Sequence, residues 1–214
     1  MSLNTILTTF VSLTMLASVS FADLLTKEHS GKDLAGVQLS KAASAKVDQY
    51  NVNLTQMGAG LRSKKILVLN VKVYTAELFV SDSQAVIKTE ADVLATVANS
   101  KTAAMQLTFL RNVEAEKVQV SFREALVANK VDINSPEIQK LFGMMIAGGE
   151  AKDKKTMTFL ANKNADGTDT LYFEDTNGNV GSAVGAGLGK SIFSMWLGTP
   201  ADDGLKKLKE DILK

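Results

Sequence analysis

Few residues in this chain are equipped for polar chemistry. It has no cysteine and a single histidine, His29. That excludes a thiolate nucleophile, a disulfide framework and a Cys-type zinc site, and it nearly removes His-based triads and His-rich metal centres. The pair that stands out is Arg62 and Tyr74, inside the stretch MGAGLRSKKILVLNVKVYTAELFV at residues 57–80. Glycines Gly58 and Gly60 precede Arg62 and let the backbone turn sharply or approach a neighbour. The residues that follow are β-branched and apolar, the composition of strands. Brought together by strand pairing, a guanidinium and a phenol hydroxyl form a donor pair suited to a carboxylate, phenolate or enolate oxygen. The plainer alternative is an exposed arginine and a half-buried tyrosine that share no ligand.

Other suggestive patterns read as structure. Gly185-Ala186-Gly187-Leu188-Gly189-Lys190-Ser191 has Val184 where a phosphate loop needs its first glycine, and Lys190 where a dinucleotide fingerprint needs its third. It reads as a strand-to-helix turn, although the dipole of the following helix would attract an anion. Asn162, Asn164, Asp166 and Gly167 imitate a calcium loop, but Phe173 stands where the bidentate acid belongs. Asn53-Leu54-Thr55 is a formal glycosylation acceptor within a predicted strand. His29 lies in a polar stretch and reads as a surface residue. No metal or cofactor site is expected.

The elements that must position Arg62 and Tyr74 follow from composition and periodicity. The chain has 214 residues, 45% hydrophobic and 22% charged, which fits one ordinary globular domain. A formal charge of +1 lacks the basic excess of a typical nucleic-acid binder. Ile6 to Leu16 is an apolar run followed by small residues at Ser20 and Ala22, which predicts a signal peptide over residues 1–22 with cleavage before Asp23. The segment before the run has no Lys or Arg, so an N-terminal anchor or a buried helix is the alternative, but the run is short for a span of roughly 20 residues. The expectation is an exported protein, periplasmic or secreted if the host is bacterial, with no membrane span after cleavage. A cysteine-free mature chain suits an oxidising compartment.

Residues 23–34 are polar and read as a flexible lead-in to a domain at 35–214. Val37 to Leu39 and Val47 to Leu54 read as strands, Gly58 to Gly60 as an interruption, and Ile66 to Leu69 with Val71 to Val80 as two strands or one long bent one. A helical stretch surrounds Ala91 to Ala98, and Met105 to Leu110 is a strand. Helices begin at Ala115 and, capped by Ser135 ahead of Pro136, at residue 136. Strands at Thr156 to Ala161 and Thr168 to Glu174 follow, then a hairpin signal at Asn177-Gly178 and a strand at Val180 to Val184. Ser191 to Leu197 and Ala201 to Leu213 close the chain as helices. Hairpins rather than strand–helix alternation imply an antiparallel sheet with helices on a face, an α+β fold.

The sequence resembles the chalcone isomerase-like proteins. Gly58-Ala59-Gly60-Leu61-Arg62 with Lys72 to Val80 is similar to the family's opening signature. Leu107 to Val113 followed by Ala115-Glu116-Lys117 is similar to its strand and the start of its first conserved helix. Asp175 to Gly181 with Gly185 to Ser191 matches its late hairpin and turn. Phe193 to Pro200 with Leu205-Lys206 looks like the C-terminal signature of bacterial members. The resemblance spans roughly residues 35 to 213. It implies an open-faced β-sandwich, a large antiparallel sheet covered by a layer of helices with a ligand cleft between them. It also implies two kinds of relative: isomerases (intramolecular lyases) that close a chalcone into a flavanone, and non-catalytic fatty-acid binders.

Carried over from that resemblance, Arg62 falls on the arginine that stabilises the oxyanion in the enzymes and grips the carboxylate in the binders. Tyr74 falls near the enzymes' catalytic threonine, where the binders place tyrosine, with Thr75 adjacent. The enzymes' active-site tyrosine would fall near Glu114, their asparagine near Ser121, and their late Ser/Thr near Ser194 or Met195. Arg62, Tyr74, Thr75, Ser121 and Ser194 are therefore the candidate ligand-binding residues, with Arg62 the catalytic candidate if the protein is an enzyme. The expected cleft is lined by Leu67, Leu69, Phe109, Phe122, Phe142, Met145 and Phe193. The favoured function is binding of a fatty acid or similar small apolar carboxylate without catalysis. The alternatives are an isomerase acting on a polyphenol-like ligand and an envelope scaffold that inherited the fold.

Overall fold

In the computed structural model, which describes residues 23–47 and 50–214, hairpin follows hairpin to build one antiparallel sheet. The signal peptide expected over residues 1–22 lies outside the described residues. The strands are β1 Leu25–Leu34, β2 Val37–Val47, β3 Tyr50–Ile66, β4 Leu69–Val80, β5 Thr102–Phe109, β6 Thr156–Lys163, β7 Asp169–Glu174 and β8 Val180–Gly185, and their order in space is their order in sequence. Helix α1 (Val93–Asn99) joins β4 to β5, α2 (Ala115–Ala128) and α3 (Pro136–Gly148) join β5 to β6, and α4 (Leu188–Leu197) and α5 (Asp203–Ile212) follow β8. This is the expected α+β architecture, an open antiparallel sheet with its helices gathered on one face.

The period-two alternation of each strand sorts side chains to two faces. Tyr74, Ala76, Leu78 and Val80 of β4 join Met105, Leu107 and Phe109 of β5 and Phe159 of β6 in the main core, packed against Val118, Phe122 and Leu126 of α2 and Ile192 and Trp196 of α4. Phe122, Phe159 and Trp196 meet edge-on or tilted, with ring centroids 5.2–5.7 Å apart. The other face carries Phe79, Ala104 and Leu160, covered by Leu25, Ala43, Ala45 and Val47. The β1–β2 hairpin thus curls back across the sheet, so that the Leu24 amide reaches Glu174 Oε2 of β7 at 3.3 Å.

Four local expectations change. The polar segment at 23–34, expected as a flexible lead-in, contains β1; it pairs with β2 and buries Leu24 and Leu25, while its outer residues stay wet. The strand expected over Val47 to Leu54 is the end of β2 and the start of β3. Gly58 and Gly60 do not interrupt: they lie within β3, where a Cβ would strike the Ile212 carbonyl and Leu208 of α5. That close approach is what seats α5 on the sheet. The apolar stretch at 66–80 is a hairpin arm, with a turn at Leu67-Val68 in which Leu67 holds φ at 55°.

Candidate functional site

Register brings the predicted pair together. Arg62 of β3 lies directly opposite Tyr74 of β4, and Tyr74 opposite Phe109 of β5. All three line a cleft of about 690 Å³ between the end of the sheet and α2, with Val118, Ser121 and Phe122 on the helix side. The cleft lies where β3 and β4 run on past the end of β5 at Phe109 while α2 starts only at Ala115, after the loop that places Arg111, Asn112 and Val113 in the lining. Charged side chains of both signs also line it: Lys64, Arg111 and Lys117 beside Glu114, Glu116 and Glu150. Glu114, near the position where the resemblance puts the enzymes' tyrosine, is exposed and ion-paired to Lys117 at 2.8 Å.

Arg62 is only 3% exposed, and its charge is already met. Nη2 donates to Asp202 Oδ2 at 2.6 Å and Nη1 donates to the Ser63 carbonyl at 2.5 Å. Asp202 is also the N-cap of α5, accepting from the Leu205 amide at 2.8 Å. Partial burial disfavours its charge, but the Leu205 N–H and the Arg62 guanidinium outweigh that and hold the carboxyl below the usual carboxylate range. Gly204 completes the arrangement, because any Cβ there would collide with the guanidinium. An Asp before an amphipathic helix is a readable N-cap signal; its partner, 140 residues away in the sequence, is not.

Tyr74 is buried, with its ring edge-on to Phe109 and its oxygen accepting from Trp196 Nε1 at 3.1 Å. Burial pushes the hydroxyl up to about 12, against the opposing pull of Arg62 and Trp196. It is therefore a neutral phenol at physiological pH, a donor or acceptor rather than a base. The other candidates divide. Ser121 lines the cleft with Arg62 and Tyr74. Thr75 points to the opposite face, where it is buried and its Oγ1 has no partner among the described residues. Ser194 is buried on α4 and donates to the Ser191 carbonyl at 2.6 Å, outside the cleft lining.

The expected apolar lining is corrected in part. Phe109 and Phe122 line the cleft; Phe142 and Met145 of α3 and Phe193 of α4 are core residues outside its lining. Leu67 and Leu69 are at the hairpin tip, 89% and 67% exposed. At the glycine-rich turn into α4, the helix N-terminus is occupied by the chain's own anion, since the Gly189 amide donates to Asp169 Oδ2 at 3.0 Å. Among the described residues no cluster of three or more His, Cys, Asp or Glu could hold a metal, and no helix is long and apolar enough to cross a membrane.

A family model described as chalcone isomerase-like matches residues 31–213. The chain belongs to the chalcone isomerase-like family. The match begins within β1 and ends just past α5, so it takes in the cleft and both residues of the Arg62–Asp202 pair. No curated protein matches the chain.

Proposed function

We propose that this chalcone isomerase-like protein binds a fatty acid or similar apolar carboxylate in the cleft between sheet and α2, without transforming it. The observation that carries the reading is one part of the cleft wall: beside its charged side chains of both signs, apolar residues adjoin a buried cation and a buried neutral hydroxyl. Val73, Phe109, Val118 and Phe122 suit an acyl chain. Arg62 has guanidinium N–H groups beyond the two engaged by Asp202 and Ser63, and the Tyr74 hydroxyl, which accepts from Trp196, keeps its own hydrogen for a ligand oxygen.

The same features count against ring closure of a chalcone. An oxyanion stabiliser works best with uncompensated charge aimed at the developing anion, and Asp202 compensates Arg62. Tyr74 is un-ionised, and Glu114 stands where an aromatic hydroxyl would be needed. Chalcone absorbance followed with protein in excess should decay at the spontaneous rate; faster decay favours the isomerase. Native mass spectrometry of purified protein should show bound lipid, and calorimetry should show a medium-chain fatty acid binding more tightly than its methyl ester. Equal binding of acid and ester would remove the anchor from the reading.

The same reading makes the protein exported, with residues 1–22 as the signal peptide. N-terminal sequencing of protein from the native host should begin at Asp23, and retention of Met1 in exported protein would sink that part.

A further inference from the structure

Beyond the Arg62–Tyr74 register pair the β3–β4 hairpin leaves the sheet. β2 pairs with β3 only over residues 50–55, and β5 pairs with β4 only from Tyr74 onward. Among the described residues, the ribbon from Ser63 to Lys72 therefore projects with no strand on either side; at its root the Val73 carbonyl still accepts from the Leu110 amide at 2.9 Å. Its tip is apolar and in water: Leu67 is 89% exposed, Val68 89% and Leu69 67%. Single exposed apolar residues are ordinary, but three in succession at the end of a projecting ribbon form a patch. Turn chemistry argues the same way. Hairpin turns favour Asn and Gly, as Asn177-Gly178 shows between β7 and β8, yet here a leucine holds a left-handed φ of 55°. Behind the tip the ribbon carries Lys64, Lys65 and Lys72, and from Leu61 to Ala76 there is no acidic residue.

An apolar point backed by a ring of cations matches one kind of surface: apolar side chains enter the acyl boundary while lysines meet anionic headgroups. We propose that the β3–β4 hairpin tip docks on an anionic lipid bilayer. The root of the ribbon, through Lys64, Val71 and Val73, is also a wall of the cleft, so docking would place the cleft mouth at the lipid surface. The docking stands on the ribbon alone and does not depend on what the cleft holds.

The test is flotation of the full protein with phosphatidylcholine vesicles, with and without phosphatidylglycerol. Wild type should float with the anionic vesicles and do so less at high salt. The triple variant Leu67→Ser, Val68→Ser, Leu69→Ser should lose at least about tenfold in partitioning. Replacing Lys64, Lys65 and Lys72 with Gln should cost about fivefold per lysine on anionic vesicles, about a hundredfold together, and little on neutral ones. These side chains are exposed, so near-ultraviolet circular dichroism should remain native in both variants. Equal flotation with both vesicle types, or a serine variant that floats like wild type, would overturn the proposal. So would a wild-type dimer that the serine variant abolishes while neither protein floats, because the tip would then cover a second copy.

Discussion

The two faces of the sheet are both buried and both contain chemically capable residues, yet among the described residues the cleft of about 690 Å³ opens on the helix face, not on the face closed by the β1–β2 hairpin. On the helix face, Arg62 and Tyr74 sit at the edge of an apolar core that stops short and leaves a cleft. On the other face, register aligns Glu77, Gln106, Thr158 and Glu174 in a row across β4 to β7. The β1–β2 hairpin closes over that row. Glu77 takes Lys27 Nζ at 3.1 Å, the Ser40 amide at 2.7 Å and Gln56 Nε2 at 3.1 Å, and Gln106 Nε2 donates to Thr158 at 3.1 Å. Polar residues here serve to latch a hairpin onto a sheet. A buried charge or an orphaned hydroxyl such as Thr75 Oγ1 therefore does not mark a site unless open volume adjoins it.

The largest expected effect breaks the latched face. Glu77→Ala leaves a part-buried lysine and two other donors unmatched, and should cost about 3 kcal/mol of stability, read from the urea midpoint. Ligand binding per folded molecule should barely change, because Glu77 lies on the opposite face of the sheet and outside the cleft lining. Loss of binding with stability intact would erase the distinction between the faces.

On the open face, Arg62→Met keeps the stem and deletes the charge. A charge-assisted hydrogen bond in a partly dry site is worth roughly 1.5–3 kcal/mol, so fatty-acid affinity should fall about ten- to a hundredfold in calorimetry. Tyr74→Phe removes a neutral donor and should cost about tenfold or less. If Arg62→Met binds the acid as tightly as wild type does, Arg62 is only a structural partner of α5.

Asp202→Asn sharpens that point, since Asn still caps α5 but no longer neutralises Arg62. Affinity for the acid should rise by about tenfold or less, with the methyl ester unchanged. A weaker acid complex would mean that Asp202 holds Arg62 in its binding geometry.

The smallest effect is a pH dependence on the latched face. Burial raises the Glu174 carboxyl above its ordinary 4.5, against the pull of the Leu24 amide. The folded protein therefore keeps this proton to higher pH than the unfolded chain does, and the contribution is full below about pH 4.5 and is lost as pH rises through the folded value. Glu174→Gln retains an acceptor for Leu24 and removes the titration. Its melting temperature should gain on wild type as pH is raised from 4.5 toward neutrality. A constant difference across that range would show that the carboxyl is not perturbed.

Local signals in the sequence determined most of the elements, because their causes lie within a few residues. Ser135 caps α3, accepting from the Ile138 amide; Gly178 takes the left-handed φ of its turn; and the stripes of α2 and α3 face the core. The Arg62–Tyr74 pair was legible as a possibility because both lie in neighbouring strand-like runs. Tertiary structure decided the rest. β1 looked like a lead-in because only one of its faces is covered, by elements far along the chain. Leu67 and Leu69 looked like cleft lining because apolar type does not say on which side of a turn a ribbon ends. Tyr74 reached the cleft and Thr75 the closed face because a strand alternates sides at every residue, so the register with β3 and β5, set by contacts over the whole sheet, chose between two adjacent hydroxyls. Asp202 became the partner of Arg62 only when α5 settled on Gly58 and Gly60, a contact between segments that share no local pattern.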